Sequence, residues 1–219
     1  MCGAFDIQFE KFTASIADAL DVEQFENRGI RVPASMIQIV RDDKERGREV
    51  VDAKWWLMLG ADAKPNYKYA TFNSRYDKLY SSRLTKGLFK TSRCIIPATG
   101  VIEGQNKIYH HIIDAKNRGL ALGGIYKTYC YDDEIQTTAS IITCPGNPKW
   151  EDIHKKSVPL MLDPNDKDTL NAWLDPTMTD SEAFSDLLTN EIRFDLVATK
   201  TVGARDLTPD SEPIYIEAD

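Results

Sequence analysis

From Ser92 to Thr143 the chain passes through a rapid succession of short apolar or alternating runs: Ser92–Pro97, Val101-Ile102, Lys107–Ile113, Ala121–Tyr131 and Thr137–Thr143. Short period-two runs bounded by turn formers read as strands. Asn117-Arg118-Gly119 and Tyr131-Asp132-Asp133 carry the residues that hairpin turns demand. Strands this closely spaced leave no room for the crossover helices that parallel pairing needs. A doubly wound parallel sheet is therefore excluded, and an antiparallel sheet or barrel is expected.

The flanking segments add helices at the periphery. Residues 9–27 read as a helix, with Phe12, Ile16, Ala19, Leu20 and Phe25 near 3.6-residue spacing. Arg31–Val40 alternates and reads as a strand. Asp42–Glu49 is a charged turn, and Val50–Leu59, with Trp55 and Trp56, a buried strand. Tyr76–Leu84 is predicted as a short helix and Lys155–Leu162 as a buried-looking strand. Asp166–Leu174, capped by Asp163 or Asp166 and ending before Pro176, and Ser181–Leu188 are predicted helices. The tail from Phe194 is strand-like, then turn-rich. The expectation is an α+β fold, a mostly antiparallel sheet or barrel-like core with peripheral helices, in a single domain over 1–219 with an acidic portion from about residue 163. At 219 residues such a domain buries enough surface to fold without crosslinks.

No apolar run is long enough to cross a membrane, and the first residues lack the basic start and apolar stretch of a signal peptide. Cys2, Cys94, Cys130 and Cys144 show no Cys-x-x-Cys spacing, so free thiols in a reducing, cytoplasmic setting are expected, with no metal. Neither GxGxxG nor GxxxxGK[ST] occurs, so no cofactor is called for. The net charge of −7 argues against a nucleic-acid partner until its distribution is considered. Lys64, Lys68, Arg75, Lys78, Arg83, Lys86, Lys90 and Arg93 fall in one stretch with a single acid, Asp77, which makes it +7 and the remainder −14. A charge run is often only a solvated face, but a local field of this size also suits a phosphate-tracking surface.

Four segments carry potential chemistry. Cys2, once Met1 is removed, presents an α-amine and a thiol on one residue. The amine is partly free base at neutral pH, and the pair can form an imine with an aldehyde and close it into a five-membered ring. Phe72-Asn73-Ser74-Arg75 places an amide and a guanidinium on one side of an extended segment. Arg93 to Glu103 is an apolar strand and turn delivering one carboxylate. Ile153-His154 precedes Lys155 to Leu162, away from the adjacent His110-His111 pair. Each has an ordinary explanation when taken alone: an accidental cysteine, a turn asparagine, a surface glutamate, a core histidine.

Taken together and in order, they resemble the SRAP family, the SOS response-associated peptidases or abasic-site processing proteins. That pattern runs Met-Cys-Gly, a tryptophan strand, Asn-Ala-Arg, Arg-Cys-Leu-x-Pro-x-x-Gly-Tyr-Glu-Trp and Ile-His-x-Arg-Met-Pro. It is matched by Cys2-Gly3, Trp55, Asn73-Ser74-Arg75, Arg93 to Glu103, and Ile153-His154 with Pro159. Ala4 and Gly104 stand where the family has arginine and tryptophan, and Lys156 and Ser157 where it has arginine and methionine.

The resemblance implies a monomeric, DNA-associated protein of the DNA-damage response. Its partner would be single-stranded DNA containing abasic sites, captured in a covalent thiazolidine link through Cys2. It also implies self-removal of Met1 and a lyase-type activity. Cys2, Asn73, Glu103 and His154 would be catalytic: Glu103 in acid–base work, His154 in proton transfer at the sugar, Asn73 in holding the N-terminus or sugar. Arg75, Trp55, Thr143 and Lys156 would contact DNA. Two other readings compete. Class II glutamine amidotransferases also begin with Cys2-Gly3, but Asn27-Arg28-Gly29-Ile30 lacks the proline and aspartate of their Arg-Gly-Pro-Asp stretch. A non-catalytic single-strand-binding module would fit the departures at Ala4, Gly104 and Lys156.

Overall fold

The computed structural model describes residues 2–8, 10–26 and 28–219. Two sheets share the chain. The first contains β1 (Ala4–Ile7), β2 (Gly29–Arg31), β7 (Gly100–Gln105), β8 (Ile108–Asp114), β13 (Leu196–Gly203), β14 (Asp206–Pro209) and β15 (Ile214–Ile216). Its spatial order is β14-β13-β8-β7-β1-β2, with β15 on β13, and every pairing is antiparallel.

The second sheet contains β3 (Met36–Asp43), β4 (Gly47–Lys54), β5 (Asn73–Arg75), β6 (Arg93–Ala98), β9 (Leu120–Tyr131), β10 (Glu134–Pro145), β11 (Ser157–Pro159) and β12 (Met161–Leu162). Within it β4-β3-β6-β9-β10 closes on itself through a parallel bridge between Thr138 and Lys54. This is a five-stranded barrel, which leaves no open edge along that path. Helices α1 (Glu10–Leu20), α2 (Lys86–Thr91), α3 (Glu151–His154) and α4 (Lys167–Leu174) lie outside the strands. The α+β expectation holds, and no helix among the described residues is long and apolar enough to cross a membrane.

The two sheets meet at Thr99, between β6 and β7. Its backbone N–H donates to the Asp6 carbonyl at 2.8 Å, and its hydroxyl accepts from the Gln8 N–H at 3.2 Å. That latch lays β1 along β7, with Phe5 opposite Val101. Phe5, Trp55, Phe89, Trp150 and Trp173 are fully buried, and Phe5 packs on Trp55 with ring centroids 5.0 Å apart.

Several local expectations are corrected. Asn117-Arg118-Gly119 closes no hairpin, since β8 before it and β9 after it belong to different sheets, whereas Tyr131-Asp132-Asp133 does join the paired β9 and β10. The first helix ends at Leu20, because Asp21 turns left-handed at φ 53°; residues 9 and 27 lie outside the described residues. Arg31–Val40 is two strands separated by a turn. The charged segment 42–49 is itself mostly strand, since Asp42 pairs with Arg48 and Asp43 with Gly47. The strand expected to reach Leu59 stops at Lys54: the Trp55 N–H turns to the Ser35 carbonyl, and its indole N–H to the Phe72 carbonyl. Tyr76–Lys78 and Ser181–Leu187 are 3₁₀ turns, and the helix in the basic stretch is α2.

Candidate active site

Three elements converge on Cys2. It precedes β1 and is fully buried, with its thiol 3.6 Å from the Ala4 carbonyl oxygen. Asn73 comes from the other sheet, where β5 runs parallel to β10 and pairs Asn73 with Ile141 and Arg75 with Thr143. The Asn73 amide N–H donates to the Cys2 carbonyl at 2.7 Å. Its Oδ1 is buried with no partner among the described residues, so the side chain that holds Cys2 keeps an open acceptor. Ser74 faces the opposite way, its hydroxyl 2.8 Å from that of Ser140. The alternation sends Asn73 and Arg75 to one side.

Glu103, on β7, completes the centre. It is 2% exposed, and burial raises its carboxyl from an ordinary 4.5 to about 7, against the lowering effect of a hydrogen bond with the Cys2 thiol. Burial, and then the Glu103 charge, push the Cys2 thiol well above its ordinary range. The thiol is therefore protonated at rest, and a half-ionised carboxyl lies against it. A carboxyl poised near neutral pH suits acid–base exchange.

His154 ends the one-turn helix α3, and burial lowers its imidazole below 6.5. Its Nδ1 accepts the Lys156 backbone N–H at 3.3 Å. Gln105 fixes α3 in place. Its side-chain N–H donates to the carbonyls of Glu151 (2.8 Å) and Asp152 (3.2 Å), and its Oε1 accepts from the Lys155 N–H (3.2 Å). Gln105 lies two residues beyond Glu103 on the same face of β7, so one strand carries the carboxyl and anchors the helix bearing the histidine. Gly146 lets the chain after α3 approach β10: a Cβ there would collide with the Lys155 carbonyl oxygen.

Beside this centre lies a cleft of about 390 Å³ whose lining includes Arg75, Thr143, Lys156 and Ser157. Arg75 is exposed and forks onto Asp77 at 2.9 and 3.0 Å. A second cavity of about 370 Å³ lies against Gly3, Ala4, Glu103, Gly104 and Tyr109. Gly104 is opposite Tyr109, whose ring a Cβ at Gly104 would strike.

Three sequence readings come out differently in space. Trp55 is wholly buried, so its ring packs in the core and offers no stacking surface; the exposed rings are Tyr67, which packs against Trp56, and Tyr69. Arg93 does not belong to the basic surface. It is buried and donates to the carbonyls of Phe89, Lys90, Trp173, Asp175 and Met178. Gln105 was missed, although its place two residues after Glu103 on a strand was a usable signal. Among the described residues no three His, Cys, Asp or Glu side chains converge as a metal site.

A buried Cys2 between an amide and a neutral-range carboxyl, at the seam of a barrel and a second sheet, defines the class. Residues 1–204 match the model of the SOS response associated peptidase (SRAP) family, and the chain belongs to that family. It is 25% identical over 201 residues to the abasic site processing protein YobE of Bacillus subtilis, covering 86% of this chain and 88% of that one. It is 27% identical over 203 residues to the abasic site processing protein YoqW of the same organism, covering 86% of each. The fold is also that of a protein from Bacteroides thetaiotaomicron, with a TM-score of 0.71 and 22% identity over 91% of this chain and 92% of that one. A protein from Bordetella bronchiseptica gives a TM-score of 0.67 at 16% identity, covering 100% and 99%.

Proposed function

We propose that this protein processes abasic sites in single-stranded DNA by forming a covalent link through Cys2. The observation that carries the reading is the contact of Cys2 with Glu103 and Asn73 beside a cleft bearing Arg75 and Lys156. An abasic deoxyribose opens to an aldehyde when a base takes the hydroxyl proton and an acid protonates the ring oxygen. Glu103, half-ionised near pH 7, serves both directions.

The order of bond formation follows from the proton affinities. The thiol is held protonated, so the Cys2 α-amine attacks first, after Met1 is removed. The carbinolamine loses water to give the imine. The thiol then adds across C=N: its proton leaves to Glu103, the S–C bond forms, and the imine nitrogen receives the proton. His154 assists proton movement at the sugar and in reversal. Arg75 exchanges Asp77 for a phosphate, and Lys156 and Thr143 hold the neighbouring backbone. Self-processing is confined to Met1.

Ala4 and Gly104 replace the arginine and tryptophan of the family pattern at the second cavity. The grip on DNA therefore rests more heavily on the Arg75 cleft. Denaturing electrophoresis of Met1-free protein with abasic single-stranded DNA tests the reading. A heat-stable shifted band that Cys2→Ala abolishes supports it. A band indifferent to Cys2→Ala refutes it.

A further inference from the structure

The second cavity, about 370 Å³, is lined by Gly3, the residue next to Cys2. Strand register sorts its walls. Ala4 lies opposite Ile102, and Gly104 opposite Tyr109. Opposed residues share a face of a sheet, and so do residues two apart on a strand. These four therefore belong to one face, and the Glu103 carboxyl, between Ile102 and Gly104, to the other. Ala4 and Gly104 take up little of that face. The Tyr109 ring lies across Gly104, where an added Cβ would stand 2.7 Å from ring carbon Cδ1. Tyr109 is half-buried, so the fold does not cover it completely.

The one cation among the lining residues is Arg205. It sits in the two-residue turn Ala204-Arg205 that joins β13 to β14, with Gly203 paired to Asp206. Arg205 is exposed, and among the described residues it has no ion-pair or hydrogen-bond partner. Asp206 beside it instead accepts the Thr208 N–H at 3.1 Å. Arg75, at the other cleft, is by contrast already forked onto Asp77. An apolar wall at Val32 and Ile102, a partly open ring and an unpaired guanidinium suit a ligand that is flat at one end and anionic at the other. The volume falls in the range of about 300–1,000 Å³ that small-ligand sites occupy.

We propose that this cavity is a nucleotide subsite: it takes a nucleotide next to the abasic sugar, with the base against the Tyr109 ring and the phosphate on Arg205. The inference rests on the abasic-site reading and assigns two further binding residues to it. Any base presents a face that stacks on an aromatic ring, and a guanidinium grips phosphate through two parallel N–H donors. The subsite therefore holds the strand without reading its sequence.

The test is equilibrium binding, by fluorescence anisotropy, to a single strand carrying a tetrahydrofuran in place of the abasic sugar. That ether cannot open to an aldehyde, so no adduct forms and affinity is read alone. Arg205→Ala should reduce the log–log salt slope by about 0.7. Removing the base of one neighbouring nucleotide should weaken the wild type about tenfold and leave Tyr109→Leu nearly unchanged. Removing the base on the other side should affect both proteins equally. A full salt slope in Arg205→Ala overturns the proposal. So does a Tyr109→Leu that loses as much as wild type whichever base is removed, the result expected if the ring only covers a strand glycine. If Tyr109→Leu does not fold, Arg205→Ala, at an exposed turn position, decides alone. A strand with a natural abasic site is run alongside. A normal wild-type adduct without these effects strikes the subsite and keeps the abasic-site reading. The effects without any adduct keep the subsite and refute the covalent reading.

Discussion

Replacing Glu103 with glutamine should make the protein more stable above pH 7 while disabling it. The carboxyl titrates near 4.5 when unfolded and at about 7 when folded, because burial penalises its charge. Below pH 4.5 both states hold the proton and the site costs nothing. Between the two values the unfolded chain releases the proton and the folded one keeps it, so stability falls as pH rises. Above pH 7 the loss is complete. About 2.5 pH units at 1.36 kcal/mol each is about 3 kcal/mol. Glutamine fills the same space without this penalty. Its melting temperature at pH 8 should exceed wild type by about 6–12 °C, given about 2–4 °C per kcal/mol for a chain of this size. At pH 4.5 the difference should vanish. Adduct formation should meanwhile slow by about 10²–10⁴-fold, with single-strand affinity nearly intact. The assay is thermal unfolding of both proteins across pH 4–9. A gap between wild type and Glu103→Gln that does not widen with pH refutes the argument.

Arg75→Ala should weaken single-strand binding and reduce the log–log salt slope by about 0.7 for the lost phosphate contact. Asp77→Ala should instead tighten binding by freeing the guanidinium; both are read from a salt titration by fluorescence anisotropy. Gln105→Ala removes two hydrogen bonds to α3 and one to Lys155 after it, and should slow crosslinking by more than it weakens binding, since it displaces His154 together with Lys156 but leaves Arg75 untouched. Gly146→Ala should destabilise the fold by more than about 1 kcal/mol, measured by urea unfolding, because the added methyl meets backbone and not a movable side chain.

The antiparallel character of the fold was legible because turn residues punctuate the strands from 92 to 143, and hairpin chemistry is local. The closure of the barrel was not. It depends on a parallel bridge between Lys54 and Thr138, far apart in sequence and marked by no pattern. Trp55 shows why an aromatic cannot be assigned from composition: its indole N–H is spent on the Phe72 carbonyl, which draws the ring into the core. Arg93 looked like one more surface cation, yet its five carbonyl partners make it a tie among α2, α4 and the segment that follows. Cys2, Asn73, Glu103 and His154 could be named as candidates from residue type and order. The i+2 spacing of Gln105 from Glu103 was legible too, but its partners, the carbonyls of Glu151 and Asp152 and the N–H of Lys155, lie about fifty residues away in sequence and were not.

The most direct measurement is intact-mass analysis of the product of Met1-free protein and abasic single-stranded DNA, with peptide mapping and borohydride treatment. The expected product has a mass equal to protein plus DNA less one water, a link mapping to Cys2, and no gain of hydrogen on borohydride, as a closed thiazolidine requires. An adduct that borohydride reduces, that maps to another residue, or that forms equally with Met1 in place would contradict it.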